Sequence, residues 1–216
     1  MIRVEREAEP EILSSKRVEW LEKFLAKRSN DSKARPDSSK YAHRDIKDAL
    51  RRMSHGKCFY CEYRPDDGGQ VDHHVEVTED PSFAFEWTNL YLSCSQCNQA
   101  KKSGRVDRSA CIDPCDPASA PDEHLTFTDE MIRPRHGSSR GRDTIRKYAL
   151  DSQLLDLRRS RALRALEKAR AVVRDRQIAE GGRSITQDER EILLSFGQAE
   201  RPFSLMLRVA LRGLTG

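Results

Sequence analysis

The sequence predicts an α+β fold, mainly helical. Three observations carry this. Two Cys-x-x-Cys pairs, Cys58/Cys61 and Cys94/Cys97, close off a stretch with strand-like alternation, and apolar residues recur at helical spacing both before and after it. Four cysteine thiolates are soft ligands at the separation tetrahedral zinc needs, each pair closing a small chelate turn. Free core thiols would not explain a second matched pair. A redox dithiol would need a thioredoxin-like βαβ pattern, which surrounds neither pair. A four-cysteine zinc site is closed, so this ion is expected to staple the insert of 32 residues between Cys61 and Cys94 and to do no chemistry.

The elements follow in order. Residues 1–9 alternate and read as an extended lead-in that stops at Pro10. From Ile12 to about Arg28, Leu13, Val18, Leu21, Phe24 and Leu25, with Trp20 alongside, form a helical stripe. The polar segment from Ser29 to Lys40 is an exposed loop. A second amphipathic helix carries Tyr41, Ile46, Leu50 and Met53 and stops at His55-Gly56. Cys58–Cys61 suggests a knuckle, and Asp66-Asp67-Gly68-Gly69 a tight turn. Val71 to Val77 alternates as a strand, Asn89–Leu92 is a second short apolar run, and Gln96 to Lys102 starts a helix, giving a ββα unit.

Beyond Ser103 the prolines of CIDPCDPASAPDEHL exclude a continuous helix. Leu125–Phe127 and Met131–Ile132 suit a hairpin around Thr128-Asp129-Glu130, and His136–Arg142 (HGSSRGR) reads as a mobile loop. From Asp143 the pattern is helical, with Asp151 available to cap a long helix whose stripe is Leu155, Ala162, Leu166, Ala169 and Val173. Gly181-Gly182 ends it. Ser184 or Thr186 caps another helix, Thr186 with Glu189 in capping-box spacing. Pro202 breaks that helix, and a last one runs to about Leu211. Three regions are expected: a helical segment over 1–56, the zinc-stapled core over 57–135, and a helical region over 143–216.

Composition narrows the setting. Charged residues make up 34% and the hydrophobic class 37%, with both signs mixed and a net charge of +4, so the chain is globular with a modest core. A pI of about 8.8 permits nucleic-acid binding without requiring it. No apolar run is long enough to span a membrane, and MIRVEREAEPEIL lacks the apolar region of a signal peptide. With paired cysteines read as ligands, this places the chain in a reducing cytoplasm.

Between the cysteine pairs lie Asp72-His73-His74 and Trp87-Thr88-Asn89-Leu90, and the second pair continues as Cys97-Asn98 with Lys101 and Lys102. In residue order this resembles the HNH endonuclease family and its ββα-metal site. The subtype it looks like has Cys-x-Tyr-Cys-Glu (Cys58, Tyr60, Cys61, Glu62), an acidic-His pair (Asp72, His73), Trp-x-Asn-Leu (Trp87, Asn89, Leu90), Cys-x-x-Cys-Asn-x-x-Lys (Cys94, Cys97, Asn98, Lys101) and Asp-Pro (Asp113, Pro114). That is the HNH subunit of Septu-type antiphage systems, also found beside some retrons, and it implies an ATPase subunit as partner. The likeness extends from the Tyr41 helix to the Arg-rich helix after Asp143. It implies a zinc-stapled HNH core flanked by N- and C-terminal helices, acting on DNA.

The residues suit the roles this implies. His73, as neutral imidazole, can take a proton from water near neutral pH. Asp72 and Asn98 are hard oxygen ligands for Mg²⁺ or Mn²⁺, although many family members have histidine where Asn98 stands. Adjacent strand residues point to opposite faces, so Asp72 and His73 converge only if the strand bends there. Asn89 would pin that bend through side-chain-to-backbone hydrogen bonds. Lys101 and Lys102 are phosphate contacts. A second register is open, with His73 as metal ligand and His74 as base; the acidic-His pattern favours Asp72/His73.

Other features stay two-sided. Cys111 and Cys115 are idle thiols or half of a second ion site, and Glu62 is structural in the knuckle. On the long helix, Arg158, Arg159, Arg161, Arg164, Lys168, Arg170, Arg174 and Arg176 face Asp156, Glu167 and Asp175. Such a run is a solvated face, or else a nucleic-acid track or partner interface. Pro202 to Leu207 is core or a docking surface. Two functions are weighed: a divalent-metal-dependent endonuclease with His73 as base, and a zinc-stapled nucleic-acid- or protein-binding module without turnover. A third is a regulatory subunit whose nuclease fires when an ATPase partner releases it. The intact His73, Asn89 and Asn98 favour the first, since a scaffold needs only the cysteines.

Overall fold

A computed structural model describes residues 1–101, 106 and 108–214. Nine α-helices among the described residues surround two small hairpins, so the chain is α+β and mainly helical. The lead-in is not a strand. Its apolar Met1, Ile2 and Val4 are buried, and it is tied down by Val4 N–H donating to the Pro114 carbonyl (2.8 Å) and by Trp87 Nε1 donating to the Glu7 carbonyl (2.8 Å). Helix α1 (Glu11–Asn30) buries Leu13 and Phe24, while Val18 and Leu25 are exposed, so its buried stripe is narrower than the spacing suggests. The loop after it ends in one turn of helix, α2 (Ser38–Tyr41), capped by Asp37. Helix α3 (Arg44–Met53) buries Ile46, Ala49, Leu50 and Met53 and ends where His55 and Gly56 take positive φ.

The central unit is β1 (Gln70–His73) paired antiparallel with β2 (Leu90–Ser93), then helix α4 (Ser95–Ala100). Val71 faces Leu92, Asp72 faces Tyr91 and His73 faces Leu90 across the ladder. The first strand stops at His73 and does not reach Val77, because the Asn89 side chain takes over: its Oδ1 accepts from Val75 N–H at 2.6 Å, and its Nδ2 donates to the Val75 carbonyl at 3.1 Å. The helix expected to start over Gln96 to Lys102 begins at Ser95 and has Lys101 as its C-cap, and Lys102 lies outside the described residues.

Beyond it, α5 (Pro121–His124) leads into the hairpin β3 (Leu125–Thr128) and β4 (Met131–Pro134). The expected loop over 136–142 is largely helical. Helix α6 (Ser139–Lys147) begins there, with Ser138 Oγ accepting from Gly141 N–H at 3.1 Å. Gly141 is needed for contact rather than freedom, since a Cβ there would lie 2.2 Å from the His124 carbonyl oxygen. Helix α7 (Gln153–Ala179) starts at Ser152 rather than Asp151. Helix α8 (Gln187–Leu194) has the full Thr186/Glu189 capping box, and α9 (Ser204–Leu211) is mostly buried.

One buried apolar cluster draws on all three expected regions. Glu62 ties them polarly. Its carboxylate accepts from the Met1 ammonium (2.7 Å), Lys57 Nζ (3.3 Å), Ser204 Oγ and Leu205 N–H (3.3 Å). Burial alone would raise its pKa; the two ammonium groups outweigh it and hold the carboxyl at about 2. No helix among the described residues is long and apolar enough to cross a membrane.

Candidate metal centre and active site

The four knuckle cysteines converge. Cys58, Cys61, Cys94 and Cys97 are buried, with all sulfurs within 4.8 Å of one another and Cys61 Sγ 3.7 Å from Cys94 Sγ. Zn–S bonds of about 2.3 Å at tetrahedral angles put sulfurs about 3.8 Å apart, so the quartet has the right size for that ion. Backbone N–H groups aim at the sulfurs, Tyr63 at Cys61 (3.4 Å) and Cys97 at Cys94 (3.5 Å), as thiolates require. Burial drives the Cys61 thiol well above its ordinary value, while hydrogen bonds from Cys58, Cys61 and Cys97 drive Cys94 far below it. Four thiols this close compete for protons, and a bound dication would resolve the competition.

Arg159 is a buried cation that interacts electrostatically with this cluster through Cys61. It is fully buried, and burial lowers its pKa; its Nη1 donates to Asp156 at 3.1 Å, and Cys61, Asp156 and Glu62 oppose the fall by favouring its charge. Reading it among the exposed arginines of α7 was therefore wrong. The signal was present, since Arg159 interrupts the buried stripe between Leu155 and Ala162.

A cavity of about 300 Å³ opens beside the unit, lined by Tyr41, Asp72, His73, Asn98 and Lys101 among others. His73 reaches it from the last position of β1. Its Nε2 lies 2.9 Å from the Ala84 carbonyl oxygen, and its ring meets Tyr41 edge-on at 4.6 Å. A carbonyl can only accept, so Nε2 carries the proton and Nδ1 is the basic nitrogen. Burial lowers the imidazole to about 4 and keeps it neutral at physiological pH. Asn89 fixes this arrangement from behind: its Nδ2 also donates to the Phe83 carbonyl (2.9 Å), one residue before the carbonyl that holds His73.

His74 turns the other way. Its Nδ1 meets Tyr148 Oη at 3.0 Å within an aromatic stack where Tyr60 and Tyr148 lie 3.9 Å apart. The pleat explains this, since Asp72 and His74 both touch Tyr60 while His73 lies across the strand. Lys101 rejoins the two sides: its buried ammonium donates to Asp72 Oδ1 and to the His73 carbonyl (2.7 Å). Burial raises the Asp72 carboxyl and Lys101 opposes the rise. Asn98 Nδ2 donates to Gln70 Oε1 (2.9 Å), leaving its amide oxygen for the cavity. Lys102 lies outside the described residues.

Arg35, which also lines the cavity, and Tyr148 were not foreseen here, while Tyr60 was read as a motif residue without its role against Asp72 and His74. Arg35 lies in a polar loop with no motif, and only tertiary packing carries Tyr148 to His74. Asp113 is structural, accepting from Tyr91 Oη and Cys115 N–H, both at 2.8 Å. Cys111 and Cys115 join no metal-ligating group among the described residues, and burial raises their thiols to about 11 and about 12.

No protein-family profile matches the chain. It is similar to Septu protein PtuB of Bacillus mycoides (strain KBAB4), 27% identical over 212 residues that cover 81% of this chain and 71% of that protein. A second relative, Septu protein PtuB of Bacillus thuringiensis, is 31% identical over 91 residues, covering 41% of this chain and 35% of that protein. The likeness to a Septu-type subunit read from the motifs thus holds along most of the sequence, over which the chain is similar to Septu protein PtuB.

Proposed function

We propose that this chain is a metal-dependent HNH endonuclease that hydrolyses DNA phosphodiester bonds, serving as the nuclease of an antiphage defence system with an ATPase subunit as its partner. The observation that carries the catalytic reading is the setting of His73. A neutral imidazole, its tautomer set by Ala84 and its loop clamped by Asn89, lies in a cavity that also holds a carboxylate and an amide oxygen. The Septu relatives support the defence role and the partner.

The donor set fits a hard cation. Asp72 and Asn98 bring a carboxylate and an amide oxygen to one cavity, and the Lys101 ammonium now on Asp72 Oδ1 and the His73 carbonyl would have to yield its place to such an ion. Asp72 and Asn98 would hold Mg²⁺ or Mn²⁺ there, and the bound ion supplies Lewis-acid stabilisation of the leaving oxygen. Zn²⁺ would occupy the cysteine quartet as a structural ion. In the reaction His73 Nδ1 accepts the proton of the attacking water, while the Nε2–H bond to Ala84 keeps the ring from turning. Tyr60 Oη donates to Asp72 Oδ2 at 3.3 Å and holds the carboxylate in place.

The Asp72–Lys101 pair is what favours the second reading, a zinc-stapled binding module without turnover. One experiment separates the two: plasmid cleavage in Mg²⁺ or Mn²⁺ by wild type, His73→Ala and His74→Ala, with zinc content and circular dichroism in parallel. His73→Ala is expected to lose at least about 10²-fold in rate with its fold and zinc intact. His74→Ala should instead lose thermal stability through Tyr148. Cleavage retained by His73→Ala would overturn the base assignment, and a wild type that never cleaves would return the chain to the binding module.

A further inference from the structure

A second, larger cavity of about 520 Å³ lies between α1 and the α2 turn, and its wall is cationic and aromatic: Lys23, Lys27, Arg35 and Lys40, with Trp20 and Phe85. Arg35 lines this cleft and the His73 cavity alike, so the two are neighbours with that guanidinium between them. The one carboxylate in its wall, Asp37, accepts from Ser39 N–H at 2.9 Å and Oγ at 2.7 Å, which lower its pKa first, with Lys40 and Lys27 adding to the fall from beyond ion-pair distance. Lys23 is shared with Glu19 at 2.6 Å, whereas Lys27, Arg35 and Lys40 have no ion-pair partner among the described residues. Trp20 is half-buried, its ring centroid 5.8 Å from that of Phe85.

A lysine on a helix is ordinarily just solvated. Three cations without an ion-pair partner, converging on one concavity that shares Arg35 with the His73 cavity, are a different matter, because a cleft in which positive charge predominates concentrates its field on a polyanion. The Arg-rich helix α7 is the weaker candidate. Arg159 is buried, Arg158 lies 3.7 Å above the Tyr63 ring, and Arg170 and Arg174 pair with Glu167 and Asp175.

The geometry points to the α1–α2 cleft as the track that receives the phosphodiester backbone of a DNA strand and leads it past His73. The inference rests on the nuclease reading and names where its substrate lies. Lys27, Arg35 and Lys40 contact successive phosphates, and the Trp20 face offers a surface on which a base can stack.

The test uses the full chain carrying His73→Ala to prevent turnover, with a fluorescein-labelled 30-nucleotide DNA, single-stranded and duplex, titrated by anisotropy over a salt series. Lys27→Ala/Arg35→Ala/Lys40→Ala in that background is expected to bind at least tenfold more weakly. Its slope of log K against log salt should be shallower by about 2 to 3, as loss of three phosphate contacts requires. Arg164→Ala/Arg174→Ala/Arg176→Ala on α7 removes the same charge and should cost less than twofold. All six side chains are replaced at the surface, and matched melting curves confirm the fold.

Cleft-variant binding within twofold of the parent, or an equal loss in the α7 variant, would overturn the inference. Cleavage by the chain with His73 intact is followed on the same DNA. Wild-type cleavage with an unimpaired cleft variant sinks the cleft and leaves the nuclease. Cleft-dependent binding without cleavage sinks the nuclease and leaves the cleft as a DNA-binding groove, and a wild type that neither binds nor cuts removes both.

Discussion

At the scale of single residues, Asn89 illustrates how one side chain can hold a site without facing it. It is fully buried and spends three hydrogen bonds on the backbone at Val75 and Phe83. Asn89→Ala leaves buried groups unpaired, at a cost of about 1–3 kcal/mol, and frees the loop whose Ala84 carbonyl orients His73. The expected outcome is a lower melting temperature together with a fall in kcat for DNA cleavage larger than any change in KM. Arg159 acts similarly on the cysteine quartet. Four thiolates around a dication carry net negative charge, and Arg159 is the buried cation beside them. Arg159→Met keeps the helix and much of the volume but removes that charge, so zinc should be lost to a competing chelator at about 10- to 100-fold lower concentration. Arg161→Met, one turn-face away and exposed, should not change the chelator titration.

At the scale of elements, local patterns and tertiary packing divide the work visibly. The helices α1, α3, α7 and α8 follow from spacing and from stop and cap residues, because those signals act within a turn of the chain. The Thr186/Glu189 box is the plainest case. Thr186 Oγ1 accepts from Glu189 N–H at 3.2 Å and Glu189 Oε2 from Thr186 N–H at 3.0 Å, and Arg183 adds two ion-pair bonds to the same carboxylate. Thr186→Ala should cost about 1 kcal/mol, read as a shift of the denaturation midpoint. The Arg183 bonds bring Glu189 down to about 2, below its ordinary value of 4.5, so its folded form binds fewer protons than its unfolded form between those values. That contribution is present above about pH 4.5 and is lost as pH falls toward 2. Glu189→Gln should therefore flatten the acid limb of the stability curve over that window. What spacing could not show was α6, since HGSSRGR becomes helical only because Gly141 fits under the His124 carbonyl. Nor could alternation show where β1 ends, because the Asn89 side chain, not the pattern from Val71 to Val77, terminates it.

At the scale of the whole molecule, the proposed site residues were legible as a set because the metal ligands and base of the proposed nuclease need particular side chains in a particular order, whereas Arg35 and Tyr148 carry no such signature and arrive through packing. The cysteine quartet is where that packing converges. It joins the knuckle that follows α3 to the end of β2 and the start of α4. Glu62 fastens its flank to Met1 and α9, and Arg159 of α7 interacts electrostatically with Cys61. Structural zinc in small peptides contributes an apparent 10–16 kcal/mol or so, as much as the roughly 5–15 kcal/mol that stabilises a whole domain. Metal removal is thus expected to loosen the entire unit and not one corner of it. Stripping the ion with a strong chelator should collapse near-ultraviolet dichroism and abolish the cooperative melt, and stoichiometric Zn²⁺ should restore both. Cys97→Ser should behave as the stripped protein does even when zinc is supplied. Mg²⁺ should rescue neither sample, because four thiolates do not bind a hard ion tightly. An apo chain that melts at the same temperature as the holo chain would show that the apolar cluster, and not the staple, sets the stability of the fold.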